Sequence, residues 1–250
     1  MLRKALWAAA LAASLPAQSI VPARAGLVSY ADEAYIENRL VEISTTHFFR
    51  VHENEVLRTG AGRAEVLLGP CSAMWVDENS SFRLISDALS DVRLEVLSGS
   101  VVVSSGAMVK GGRMTVLLKT SVAPLDAKGA YHFDTAPARI KVLAGRTAVQ
   151  WDNRTTELAA SRLLVLEGSA DAIKFDRRSP DPLENWSYAR AAHLARLAAE
   201  QRWSVLDHPG VQDATARVPI NHPGPVLVTP QPEATPPVIA PASGCRVEPW

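Results

Sequence analysis

The sequence predicts a mainly β protein: an antiparallel, rolled all-β domain of many short strands, followed by one amphipathic helix and a disordered Pro-rich tail. Three observations carry this. Short runs alternate polar and apolar residues with period two, which places one face of each run in a core and the other in solvent. Turn residues recur every ~8–12 residues, the spacing of a sandwich or roll. The gaps between runs leave no room for the crossover helices that a parallel α/β sheet needs.

The chain opens on a different pattern. Met1-Leu2-Arg3-Lys4 is basic, Ala5 to Leu15 is apolar or small, Pro16 breaks the run, and Ala23-Arg24-Ala25 is a small-x-small triplet. That is the layout of a secretory signal, with cleavage expected between Ala25 and Gly26 and a cut after Ala17 as the alternative. The apolar run is shorter than the ~20 residues that span a bilayer. Residues 1–25 are therefore read as a signal peptide, and the mature chain is expected in the periplasm or secreted. No later segment is long and apolar enough to cross a membrane.

Removing 25 of 250 residues leaves 225, enough for one sizeable domain and a tail. Lys+Arg and Asp+Glu balance at 26 each, so neither a nucleic-acid nor an anionic-lipid partner is indicated. Residues 26–40 read as a polar lead-in with a short helical turn or first strand.

Residues 41–176 read as the β domain. Its runs include Val41–Ile43, Phe48–Val51, Glu55–Thr59, Ala64–Leu68, Ala73–Val76, Ser81–Ile85, Val92–Leu97 and Ser100–Val103. After Gly111-Gly112 the pattern resumes with Met114–Leu118, Ala130–Asp134, Ile140–Leu143, Thr147–Trp151 and Arg162–Leu166. Gly60-Ala61-Gly62 between two such runs reads as a hairpin turn, since it lacks the third glycine and the following helix of a phosphate loop.

Residues 181–202 read as the helix. Leu183, Trp186, Leu194 and Leu197 recur on one face, Asp181 suits the cap and Pro182 the first turn. Residues 204–250 hold ten of the seventeen prolines, which blocks strand pairing and helix alike and suits an extended spacer.

Leu57–Leu68, Asn79–Leu84, Val92–Val103, Gly129–Asp134 and Ile140–Val149, in that order, resemble the strands of the FecR domain. Phe175-Asp176 with Asn185–Arg190 is similar to the closing motif of its secreted members. The resemblance implies an extracytoplasmic β domain for signalling or envelope-protein contacts, with no chemistry of its own. The sequence departs from that family at Cys71, where glycine is usual, and at Ala159-Ala160-Ser161, which lacks the usual glycine. It also shows neither the transmembrane helix nor the cytoplasmic domain through which the family's iron-transport regulators control a sigma factor.

Candidate chemistry is sparse. His47, His52, His132, His193, His208 and His222 show no ligand spacing with carboxylates, so no metal and no cofactor is expected. No serine sits in a nucleophile elbow, and Cys71 has no neighbouring base. Asp77/Glu78 and Asp87/Asp91 read as solvated turn carboxylates, and no catalytic residue is assigned. Cys71 and Cys245 either pair in an oxidising compartment or stand as separate thiols. Asn79, Asn153 and Asn185 match a glycosylation pattern taken as chance in a bacterial chain. The expected role is a non-enzymatic exported protein that binds an envelope or secreted protein. The alternative is a carbohydrate- or small-ligand-binding module, in which Trp75, Trp151 and Tyr131 would line an open cleft.

Overall fold

The computed structural model describes residues 18–19, 24–44, 47–106, 110–167, 171–200 and 204–205. Two-residue strands β1 (Gln18–Ser19) and β20 (Ser204–Val205) pair in parallel with each other. The other eighteen strands form two sheets of nine. In chain order they begin β2 (Leu27–Ala31), β3 (Ala34–Ile36), β4 (Arg39–Leu40), β5 (Phe49–Arg50), β6 (Val56–Thr59) and β7 (Ala64–Gly69). Next come β8 (Ser72–Val76), β9 (Ser81–Ser86), β10 (Asp91–Ser98), β11 (Ser100–Ser105), β12 (Arg113–Leu118) and β13 (Ser121–Leu125). The set closes with β14 (Gly129–Thr135), β15 (Ala138–Ala144), β16 (Arg146–Trp151), β17 (Arg154–Ala159), β18 (Arg162–Val165) and β19 (Ile173–Lys174).

One sheet runs β19-β18-β15-β14-β11-β8-β7-β2-β5, and the other β17-β16-β13-β12-β10-β9-β6-β3-β4. Helix α1 (Pro182–Glu200) covers the outer face of the first, here termed the covered sheet. The second is termed the open sheet. From β7 onward the chain lays a pair of strands in one sheet and then switches to the other, with β11 as a single exception. Each switch buries the apolar side of both sheets against one core. Val66, Met74, Val101, Phe133 and Ile140 enter it from the covered sheet; Leu57, Phe82, Leu94, Val116 and Val149 enter it from the open sheet.

This winding corrects two expectations. Gly60-Ala61-Gly62 joins β6 to β7 in different sheets, so it is a corner and no hairpin. Ser98-Gly99, between β10 and β11, is likewise a corner between the sheets. There Gly99 adopts φ +70°, and a Cβ would fall 2.1 Å from Ser80 Oγ, so only glycine fits. Finally, β10 and β12 pair in parallel, Asp91 to Arg113 through Val96 to Leu118. The intervening crossover is β11, which lies in the covered sheet, so a strand takes the place of the helix thought necessary for a parallel pair.

The 26–40 stretch is part of both sheets. Strand β2 lies between β7 and β5, and β3 lies between β6 and β4. Val41-Glu42-Ile43 is irregular, although Val41 is buried and donates from its N–H to Ala34 O at 2.9 Å. Ser161, in the corner before β18, takes a left-handed φ of +66°, so the serine occupies the conformation for which glycine is the usual choice.

Helix α1 starts where Asp181 and Pro182 predicted. Asp181 Oδ1 accepts from the Glu184 N–H at 2.9 Å, and Glu184 Oε2 accepts from the Asp181 N–H at 3.3 Å, a reciprocal capping box. Leu183, Ser187, Ala191 and Leu194 are buried at helical spacing, with Trp186 half-buried beside them. The side chain of Leu197 and the 206–250 tail lie outside the described residues. No helix among the described residues is long and apolar enough to cross a membrane.

Candidate functional site

The covered sheet is apolar on both faces, as its strands show: β8 and β14 are buried at every position. On the outer side, Leu27, Leu67, Ala73, Trp75, Val102, Ala130 and Leu143 form a second apolar cluster with Leu183, Ala191 and Leu194 of α1. Two groups of charged residues are embedded in this interface.

The first lies beneath the start of α1. His132 on β14 is cross-strand from Lys141 on β15 and from Val102 on β11. Its Nδ1 is 2.7 Å from Glu184 Oε1 and 3.3 Å from Asp181 Oδ2. Its Nε2 sits 3.2 Å from Asp134 Oδ1 as an ion-pair contact without a directed hydrogen bond. Lys141 Nζ donates to Glu184 Oε1 at 2.7 Å and to Asp181 Oδ2 at 3.1 Å. Arg139 Nε donates to Asp134 Oδ2, and Ser100 Oγ to Asp134 Oδ1. Three cations and three anions are thus matched around a ring that is 1% exposed at His132.

Burial works against charge on His132, but the carboxylates of Asp134, Glu184 and Asp181 outweigh it and raise its pKa to about 9. Burial likewise opposes ionisation of Glu184, and hydrogen bonds from His132 and Lys141 overcome it, lowering the group to about 2. Asp134 also ends well below the usual carboxylate range: burial is outweighed by the nearby His132 cation and by hydrogen bonds from Ser100 and Arg139. At neutral pH His132, Lys141, Asp134 and Glu184 are therefore all charged and paired within the cluster.

The ligand atoms of His132, Asp181 and Glu184 lie within 4.8 Å of one another, which is a metal-like grouping. The Lys141 ammonium, bonded to both carboxylates, already stands where a cation would bind. The arrangement is that of an ion-pair clamp between sheet and helix.

The second group lies farther along α1. Glu65 on β7 is fully buried. Arg190 grips it with two bonds, Nε to Oε2 at 2.9 Å and NH2 to Oε1 at 2.8 Å. Trp75 Nε1 donates to Oε2 at 2.8 Å and Ser29 Oγ to Oε1 at 2.8 Å. Around it, Arg190 stacks over Tyr30, Tyr30 meets Trp186 edge-on at 5.7 Å, and Arg63 lies over Trp186.

The residues singled out from sequence disperse. Among the described histidines, His132 enters the charged cluster, His47 is exposed, and His52 and His193 are half-buried; His208 and His222 fall outside the described residues. Asp77 and Glu78 share Arg63, at 2.8 and 3.4 Å, and Asp91 pairs with Arg113 at 2.9 Å. Asp87, expected to be solvated, is buried against Arg24 at 2.7 Å. Trp75 and Tyr131 are fully buried and Trp151 nearly so. Cys71 is buried after β7 and is not a free thiol, while Cys245 lies outside the described residues. Glu65, Lys141 and Glu184 escaped the sequence reading, and Asp134 and Arg190 entered it only as the ends of the FecR-like segments Gly129–Asp134 and Asn185–Arg190, with no role assigned. The Asp-x-x-Glu spacing of Asp181 and Glu184, and a lone Glu65 within an apolar strand, were the available signals.

The chain matches no family model and no curated protein. Among solved structures it is similar to two crystal structures of a candidate anti-sigma factor from Parabacteroides distasonis. The first has 9% identity and a TM-score of 0.40, covering 56% of this chain and 64% of the other. The second has 8% identity and a TM-score of 0.36, covering 53% and 66%. In both cases less than two-thirds of the neighbour's length is spanned.

Proposed function

We propose that this protein is an exported, non-enzymatic module of FecR-like architecture that binds a protein of the cell envelope. The observation that carries this reading is the outer face of the open sheet. Register aligns Val56, Arg83, Glu95, Leu117, Val122, Gln150 and Thr155 across seven strands, all half-buried or exposed. Arg83 and Glu95 pair within this row at 2.9 Å. Such a broad row of aliphatic and paired charged groups suits a protein surface better than a small ligand, which favours a concave site. The FecR-like segments support the reading too. Leu57–Leu68 spans β6 and β7, Val92–Val103 spans β10 and β11, and Ile140–Val149 spans β15 and β16, so each covers a sheet-switching corner.

The ligand-module alternative loses its carriers. Trp75 and Tyr131 are at 0% exposure and Trp151 at 9%, so none of the three offers a ring face to a sugar. Photo-crosslinkers placed at Leu117 and Gln150, with Arg196 on α1 as control, test the proposal in envelope extract. One discrete protein adduct from the sheet positions and none from Arg196 is expected. No adduct, together with binding on a glycan array, would favour the alternative.

A further inference from the structure

We infer that the signal is cut upstream of Arg24, so that the mature protein keeps Arg24 and Ala25 as working parts of its fold. This rests on the export reading and replaces the Ala25–Gly26 cleavage expected from the small-x-small triplet. Ala25 is fully buried and belongs to the main core, in the same cluster as Val51, Leu84 and Val28. Its N–H donates to Asp87 O at 2.8 Å. Arg24 NH1 reaches the Asp87 carboxylate at 2.7 Å, and Asp87 itself is only 4% exposed. Gly26 is buried next in line, with its N–H donating to Leu67 O at 2.9 Å and its carbonyl accepting from Val51 N.

A cut between Ala25 and Gly26 would act on all of these at once. It would place a new ammonium at a buried backbone position, remove a core side chain, and strip a buried carboxylate of its arginine. Each of these disfavours the folded state. Cleavage before Arg24 does none of them. The sequence provides for it: Val21-Pro22-Ala23 ends in the required small residue, with a compact aliphatic two positions before it. The earlier option after Ala17 also keeps both residues. The same peptidase-like pattern therefore occurs in overlapping registers, and the fold distinguishes between them.

The test is the intact mass and amino-terminal sequence of the exported full-length protein. A mature chain starting at Arg24 or at Gln18 supports the inference, and a start at Gly26 overturns it. Retention of Met1 would instead remove the cleaved-export reading on which it rests. As a second measurement, recombinant chains beginning at Arg24 and at Gly26 are compared in urea. The Gly26 chain is expected to unfold at clearly lower urea, and coincident curves would overturn the structural argument.

Discussion

Raising the pH takes the proton from His132 and leaves the clamp beneath α1 with one cation fewer than anions. The folded-state pKa of about 9 lies above the ordinary 6.5. The stabilisation is therefore complete below about pH 6.5 and is lost as the pH rises through about 9. A shift of that size, at about 1.4 kcal/mol per pH unit, corresponds to about 3 kcal/mol, a large share of the ~5–15 kcal/mol that holds a typical domain. On the acid side Glu184 behaves oppositely. Its pKa is lowered from 4.5 to about 2, so its contribution is present above 4.5 and fades as the pH falls through about 2. The clamp is thus strongest between those limits, at roughly pH 4.5 to 6.5. Urea unfolding from about pH 6 to about pH 10 reads the alkaline arm. Subtracting the profile of His132→Gln removes the contributions of the other histidines and the amino terminus. The wild-type advantage is expected to shrink by about 3 kcal/mol across that range. A difference that stays flat, or an NMR titration of His132 with a midpoint at or below 6.5, would refute the reasoning.

Three further outcomes follow from named contacts. Glu65→Ala leaves Arg190 and the Trp75 N–H without their acceptor in the helix interface, and is expected to cost about 3 kcal/mol in thermal or urea unfolding; a loss below about 1 kcal/mol would mean that water takes the carboxylate's place. Gly99→Ala combines a left-handed φ with a Cβ 2.7 Å from the Ser80 Cα, and should lower stability by about 2 kcal/mol or more, measured as a fall in Tm. Peptide mapping of the exported protein without reductant is expected to yield a Cys71–Cys245 linked peptide, since Cys71 is not a free thiol and the chain has two cysteines; recovery of both as alkylated thiols would refute the pairing.

Much of this architecture was legible without coordinates. Period-two runs fix which residues face a core: Phe82, Leu84, Leu94 and Val96 alternate with Arg83, Arg93 and Glu95 in sequence, and in the structure they are buried and outward-facing respectively. Asp181-Pro182 gave the start of α1, because capping is a local event decided within one turn. Tertiary structure decided which sheet each strand joins. A short turn looks the same whether it closes a hairpin or crosses a corner, so Gly60–Gly62 reads as a hairpin in sequence and only the pairing partners show that it crosses between sheets. It also decided the site. His132 and Glu184 are 52 positions apart, and Glu65 and Arg190 are 125 apart. Each looks like an ordinary surface charge until a helix packed over a sheet removes it from water. The amino-terminal segment shows the same division: its local composition has the layout expected of an export signal, whereas the burial of Ala25 and the Arg24–Asp87 pair are visible only in the structure.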